Sequence, residues 1–195
     1  TVPRVWEALY AKVNSSLKKD SPRKAKLFQH LVRIAAAFRR NRRILLDRLP
    51  RYTRTSVWKR WPVKLWAGLK MAALAPLYVL AKRKLSLVQD KFGGRLRLAI
   101  SGGGSLPRYL DAWIDALGIR IVNAYGMTEC SPGIAGRGLD CRIFGTIGPP
   151  FPLTEVRIAD EQDRELPAGA EGEIQVRGPQ VFHGYYRNQE ADAQA

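Results

Sequence analysis

Apolar residues in the first half of the chain recur at helical spacing. Pro3 suits a first helical position, and Trp6, Leu9, Tyr10, Val13 and Leu17 follow at intervals of three or four, with one adjacent pair. Asp20-Ser21-Pro22 is the next punctuation, in which Ser21 is a good N-cap and Pro22 a good first residue. Leu27, Leu31, Ile34 and Phe38 then predict one apolar face, with Arg33, Arg39, Arg40 and Arg43 off it. Pro50 is expected to end this region, and residues 51–56 read as a polar connector.

The run from Trp61 to Ala81 carries Trp61, Leu65, Trp66, Leu69, Met71, Leu74, Leu77, Tyr78 and Leu80. A helix that spans a bilayer needs about 20 nearly uninterrupted apolar residues. Lys64 and Lys70 interrupt this run and Pro76 predicts a kink, which argues against a span. Lys59 and Arg60 flank it on one side, and Lys82, Arg83 and Lys84 on the other. Tryptophans with a basic rim suit a helix lying in a membrane interface. A core helix whose lysines reach out to solvent fits the pattern equally well.

The second half changes style. Leu96 to Ile100 reads as a strand, Ser101-Gly102-Gly103-Gly104-Ser105 as a tight turn, and Leu106-Pro107 as the opening of a helix to about Leu117, stopped by Gly118. Ile119 to Val122 predicts a second strand, giving the strand–helix–strand unit of a parallel α/β sheet. Glycine- and proline-rich turns follow, with short strands near 154–159 and 173–177. The expected organisation is a basic, mostly helical region over 1–94 (membrane-facing or covering an acyl site), an α/β portion over 95–150, and the start of a small β subdomain over 151–195.

Charge sharpens this division. Residues 1–100 hold 25 Lys and Arg against 4 Asp and Glu, a net +21, whereas residues 101–195 hold 8 against 13, a net −5. A half this basic should face something anionic, either a nucleic acid or a membrane surface. It matches no nucleic-acid motif, so no specific nucleic acid is expected. Cys130 and Cys141 fit no metal spacing and are too few for a disulfide scaffold, which points to free thiols in a reducing cytosol. No secretory peptide is visible. The chain opens on Thr1 without an initiator Met and stops in a polar, helix-like run, Gln189 to Ala195, which reads as an internal piece of a longer protein.

Candidate chemistry concentrates in Asn123-Ala124-Tyr125-Gly126-Met127-Thr128-Glu129, placed directly after a strand, where ligands gather in open α/β sheets. Tyr125 offers a stacking face to a base, and Asn123 both a donor and an acceptor. Thr128 can hydrogen-bond a phosphate, and Glu129 is a hard oxygen ligand for magnesium. On residue chemistry alone, an ordinary turn with Tyr125 packed beneath it explains the stretch as well. The glycines of 102–104 let a ligand approach the backbone, but no Gly-Lys-Ser/Thr follows as in a P-loop, and a strand-to-helix turn needs glycine anyway. His30 and His183 read as surface and loop residues. Cys130 has no evident base partner.

Taken in order, Gly102-Gly103-Gly104-Ser105-Leu106, Tyr125-Gly126-Met127-Thr128-Glu129, Gly145-Thr146-Ile147-Gly148-Pro149-Pro150, and Gly172-Glu173-Ile174-Gln175-Val176-Arg177-Gly178 leading to Gly184-Tyr185-Tyr186 resemble the adenylate-forming superfamily of acyl-CoA synthetases, peptide-synthetase adenylation domains and luciferases. Val2-Pro3-Arg4-Val5-Trp6-Glu7 and Lys91-Phe92-Gly93-Gly94-Arg95-Leu96-Arg97 resemble its long-chain fatty-acyl branch, and the basic helices resemble bacterial, notably cyanobacterial, long-chain acyl-CoA or acyl-carrier-protein synthetases. The resemblance implies an α/β fold, part of a large N-terminal domain, with a helical basic insertion before a parallel β-α-β unit and a small β subdomain. It implies ATP and Mg2+ as cofactors, a long-chain fatty acid as substrate, and CoA or the phosphopantetheine of acyl-carrier protein as acceptor. Gly102, Gly103 and Gly104 would floor the space between adenine and acyl sites, Asn123 would face the adenine amine, and Tyr125 would stack on the ring within the stretch that includes Ala124 and Gly126. Thr128 would touch phosphate and, with Glu129 on the metal, carry the catalytic role. Such an enzyme would be cytoplasmic or held at an anionic membrane surface. The rival expectation is a basic helical module that binds anionic membrane or nucleic acid without catalysis. The family's upstream phosphate loop, ribose-binding Gly-Asp segment and C-terminal lysine do not occur in these 195 residues, so the piece is expected to be inactive alone. Gln189 and Gly104 stand where relatives carry Pro and, often, Ala.

Overall fold

The protein is described by a computed structural model covering residues 2–50, 56–90, 92–96, 98–137 and 143–194. Cys141, Lys91, Arg97 and most of the expected connector lie outside these residues. Three helices lead: α1 Pro3–Asp20, α2 Pro22–Leu45 and α3 Val57–Asp90. Trp6 of α1 is buried, and Leu9, Tyr10, Val13 and Leu17 pack behind it as the periodicity predicts. Ser21 sits at the N-cap of α2 with Pro22 next, although the Ser21 hydroxyl makes no capping bond.

The buried face of α2 is Ala25, Phe28, Leu31, Ile34 and Ala35. Leu27 is exposed, one residue out of step with the expected stripe, because Phe28 takes its place against the core. Phe38 stacks on Tyr78 of α3, ring centroids 4.0 Å apart. The helix ends at Leu45, five residues before Pro50. The Arg48 N–H donates to the Arg43 carbonyl (2.8 Å) and the Asp47 N–H to the Ile44 carbonyl (3.3 Å), with Asp47 left-handed at φ 54°. This is a Schellman stop with Asp in the place glycine usually takes.

α3 runs unbroken past Pro62 and Pro76, so the proline loses a hydrogen bond without ending the helix. Its flank along α2 and the core buries only Ala67, Ala81 and Leu85. Trp58, Trp61, Val63, Leu65, Trp66, Leu69, Leu77, Val79 and Leu80 stay exposed, Trp58 by 85%. α3 is long and apolar enough to cross a membrane by length and composition.

The second half holds β1 Ala99–Ser101, α4 Arg108–Ala116 and β2 Ile121–Gly126, with β1 and β2 parallel in the register Ser101 to Asn123. α4 stops as expected: Gly118, at φ 92°, donates to Asp115, and Ile119 to Ile114. One core joins the halves, since Trp6, Phe28, Leu31 and Leu85 pack with Leu110, Trp113, Ile114 and Ile121. β3 Gly133–Gly136, unforeseen in the sequence, returns antiparallel along β2. It pairs Tyr125 with Ala135 and lengthens β2, so Asn123 to Gly126 are the strand's last residues rather than the loop beyond it. β4 Glu155–Ala159 and β5 Glu173–Arg177 form the expected antiparallel pair. α5 Gln189–Gln194 closes the described chain.

Candidate functional site

The glycine turn and the end of β2 form one surface at the carboxyl ends of parallel strands. A Cβ at Gly102 would lie 3.3 Å from the Ala124 carbonyl oxygen, so the two backbones touch. Gly103 has φ +71°, which glycine adopts at little cost. Pro3 lies under Gly104, and a Cβ there would make ordinary contact at 3.6 Å. At Gly126, where the β2–β3 register slips, a Cβ would run into the Pro132 carbonyl.

Asn123 and Tyr125, two apart, share one face of β2. Both are half-buried, and among the described residues the Asn123 amide makes no hydrogen bond. Tyr125 packs against the cluster of Cys130, Ile134 and Ala135, which supports its ring while leaving part of it open. Thr128 starts a short 3-10 turn, Thr128–Cys130, and is exposed, its carbonyl accepting from Ser131. Among the described residues its hydroxyl has no partner.

Glu129 is held from the far end of the chain. The Tyr185 hydroxyl donates to Glu129 Oε1 at 2.6 Å, and the Phe182 N–H donates to the Glu129 carbonyl at 2.8 Å. Tyr185 is fixed in turn by an edge-on contact with Phe182 and by its own N–H on Asp192 Oδ1 (2.6 Å). The bond from Tyr185, then the residue's own backbone N–H, hold the Glu129 carboxyl below its usual range, and the same bond pushes the Tyr185 hydroxyl up. Tyr185 stands in the Gly184-Tyr185-Tyr186 motif with no role that the sequence discloses, since no local signal links positions 56 residues apart.

Among the described residues, no side chain other than Tyr185 bonds the Glu129 carboxylate. Among the described residues no group of three or more His, Cys, Asp or Glu converges. That donor set fits magnesium, which keeps several waters, leans on substrate phosphates and needs only one or two protein carboxylates.

An AMP-binding enzyme family model matches residues 1–186. The chain belongs to the AMP-binding enzyme family. It is 36% identical to a long-chain-fatty-acid–[acyl-carrier-protein] ligase, AEE15, chloroplastic, of Arabidopsis thaliana, over 96% of this chain and 26% of that protein. It is 38% identical to a long-chain-fatty-acid–CoA ligase of Yersinia pestis over 49% of this chain and 17% of that protein. A solved structure of ATP-bound MatB from Rhodopseudomonas palustris shares 36% identity over 50% of this chain and 20% of that one, with a TM-score of 0.46. The chain spans about a quarter of the length of the first of these relatives. As in the expected fold, this stretch of an AMP-binding enzyme is mixed helix and sheet with a parallel β-α-β unit.

Other candidates in this AMP-binding stretch gain no partner that would give them a chemical role among the described residues. His30 and His183 are exposed. Cys130 is buried, and burial pushes its thiol up, so it is no nucleophile.

Proposed function

We propose that the chain is part of an ATP-dependent long-chain fatty-acid ligase that forms an acyl-adenylate and then an acyl thioester on CoA or acyl-carrier protein. The observation that carries this reading is the meeting of the Gly102–Gly104 turn with the Asn123–Glu129 stretch at one end of a parallel sheet, with one Glu129 oxygen fixed by Tyr185. In this reading the Gly102 backbone floors the nucleotide site, Asn123 meets the adenine edge and Tyr125 its face. The Thr128 hydroxyl orients a phosphate, and Glu129 Oε2 holds a magnesium ion, which when bound neutralises phosphate charge. The chain's own work is alignment: a fatty carboxylate in line with the α-phosphorus gains rate from positioning and charge stabilisation. A thiol then displaces AMP.

The test is ATP–pyrophosphate exchange driven by long-chain fatty acid in the full-length protein. Exchange that falls at least about a hundredfold in Glu129→Ala supports the reading, on the scale expected when an electrostatic group is lost. Absence of exchange in a folded wild type would end it.

The bare face of α3 supports a second reading, attachment at an anionic membrane surface from which an apolar substrate is drawn. Trp58, Trp61 and Trp66 stand exposed among Lys59, Arg60, Lys64 and Lys70. Co-sedimentation of the full-length protein with anionic but not neutral vesicles, lost in Trp61→Ala/Trp66→Ala, is the expected result. Equal recovery without vesicles refutes it.

A further inference from the structure

The two halves build a second concave site between them, at the other end of β2 from Glu129. A cavity of about 320 Å³ opens between the last turns of α2 and the start of β2. Arg39, Arg42, Arg43, Arg48, Arg120 and Arg137 line it, with only Asp111 and Asp115 of opposite sign. Even with Arg120 left out, five guanidiniums meet two carboxylates.

The pairings account for some of these charges. Arg137 takes both oxygens of Asp111, at 2.9 and 3.0 Å. Arg39 and Arg43 divide Asp115, the first at 3.2 Å and the second on the other oxygen. An ion-pair strap fastening α2 to α4 explains that much. It does not explain Arg42 and Arg48, which make no ion pair among the described residues. Nor does it explain Arg39 Nε, which is buried without an acceptor among the described residues. Burial pushes the Arg43 guanidinium below its ordinary range, with Asp115 opposing the shift.

The groups are held in place beforehand. The Phe144 ring lies 3.6 Å from the Arg43 guanidinium and 5.1 Å from that of Arg137, and the Phe144 N–H donates to the Arg48 carbonyl at 3.1 Å. Planar guanidinium forks match the oxygens of phosphate. The volume lies at the small end of ligand pockets, roughly 300–1,000 Å³, and exceeds what a single phosphate fills.

We propose that this cavity binds a small, multiply phosphorylated anion. It is a separate site from the nucleotide surface. Ile119 to Ile121, at the beginning of β2, line it, whereas Glu129 follows the strand's end. Five steps of about 3.3 Å from Ile121 to Gly126 put roughly 17 Å between the cavity and the Glu129 end of the strand, with Asn123 two steps on from Ile121.

The probe is tripolyphosphate, titrated calorimetrically into full-length protein in EDTA. Expected is one site whose affinity falls at least about tenfold in Arg42→Gln/Arg48→Gln, since two charge-assisted bonds are lost. Glu129→Gln should leave it unchanged. Neither altered arginine makes an ion pair among the described residues, so the variant's unfolding temperature should hold. Adenosine 3′,5′-bisphosphate binding tighter than tripolyphosphate, with the same arginine dependence, assigns the phosphates to a nucleotide; weaker binding assigns them to a free polyphosphate. No binding, binding indifferent to the two arginines, or equal affinity for citrate overturns the proposal.

Discussion

The two halves of this chain hold their elements by different means. In α1 to α3, shape comes from long helices that meet along narrow strips, and α3 rests on Ala67, Ala81 and Leu85 while its tryptophans stand bare. From β1 onward, shape comes from close backbone approach: Phe151 lies flat on Gly133 and Gly136, where an added Cβ would be 2.7 Å from its ring, and Gly102 abuts Ala124. Single atoms decide the second half. In the first, much of α3 is exposed. The difference teaches that tolerance tracks how near two backbones come rather than how apolar a stretch is.

The largest expected effect tests that contrast directly. Gly126→Ala drives a methyl into the Pro132 carbonyl at the β2–β3 slip, where neither strand can yield without breaking the pairing of Tyr125 with Ala135. A loss on the order of 3–5 kcal/mol in denaturant unfolding is expected. Gly104→Ala, which meets only Pro3 at 3.6 Å, should cost less than about 0.5 kcal/mol. Equal costs would mean that the glycines are there for another reason.

Two ion pairs give the next comparison. Arg137 and Asp111 are 6% and 7% exposed and fully forked, with a third bond from Arg137 to the Ile121 carbonyl at 3.1 Å. Arg137→Gln strands a buried carboxylate and should cost about 3 kcal/mol or more. Asp47, just past α2, binds Arg60 and Lys64 of α3, but all three are at least a quarter open to water or nearly so. Asp47→Asn keeps a side chain that tolerates the left-handed backbone, and should cost less than about 1 kcal/mol.

This separation also marks what the sequence made legible. The α1 face, the stops at Gly118 and the strands β4 and β5 follow from periodicity and glycine placement, and the structure keeps them. The Leu27 face slipped by one residue because helical period alone cannot choose between Leu27 and Phe28. β3 escaped because Gly133-Ile134-Ala135-Gly136 has almost no side-chain pattern and exists through pairing with β2. At the site, the residue types of Asn123 to Glu129 were readable as chemistry. Tyr185 was not, since its role depends on a fold that returns 56 positions later to place a hydroxyl on Glu129.

Tyr185→Phe sharpens that point with a smaller effect. Losing one hydrogen bond frees Glu129 to turn, so the magnesium concentration for half-maximal pyrophosphate exchange should rise several-fold, less than the full worth of a hydrogen bond to a charged group because this one is exposed to water. Rate at saturating magnesium and the unfolding temperature should barely move. A drop in saturated rate with unchanged magnesium dependence would place Tyr185 in the chemistry instead.

The smallest effect lies beside the glycine turn. Ser101 is wholly buried at the end of β1, paired with Asn123, and its hydroxyl has no partner among the described residues. A buried hydroxyl without a hydrogen bond is a cost that alanine removes while filling nearly the same space. Ser101→Ala should therefore leave stability unchanged or raise it by up to about 1 kcal/mol in denaturant unfolding. Should the same substitution also weaken ATP binding, the hydroxyl finds its acceptor only when the nucleotide arrives, and the orphaned donor belongs to the site rather than to the core. Destabilisation with ATP affinity untouched would instead show that Ser101 is satisfied within the sheet, and that the close approach of Gly102 to Ala124 relies on it.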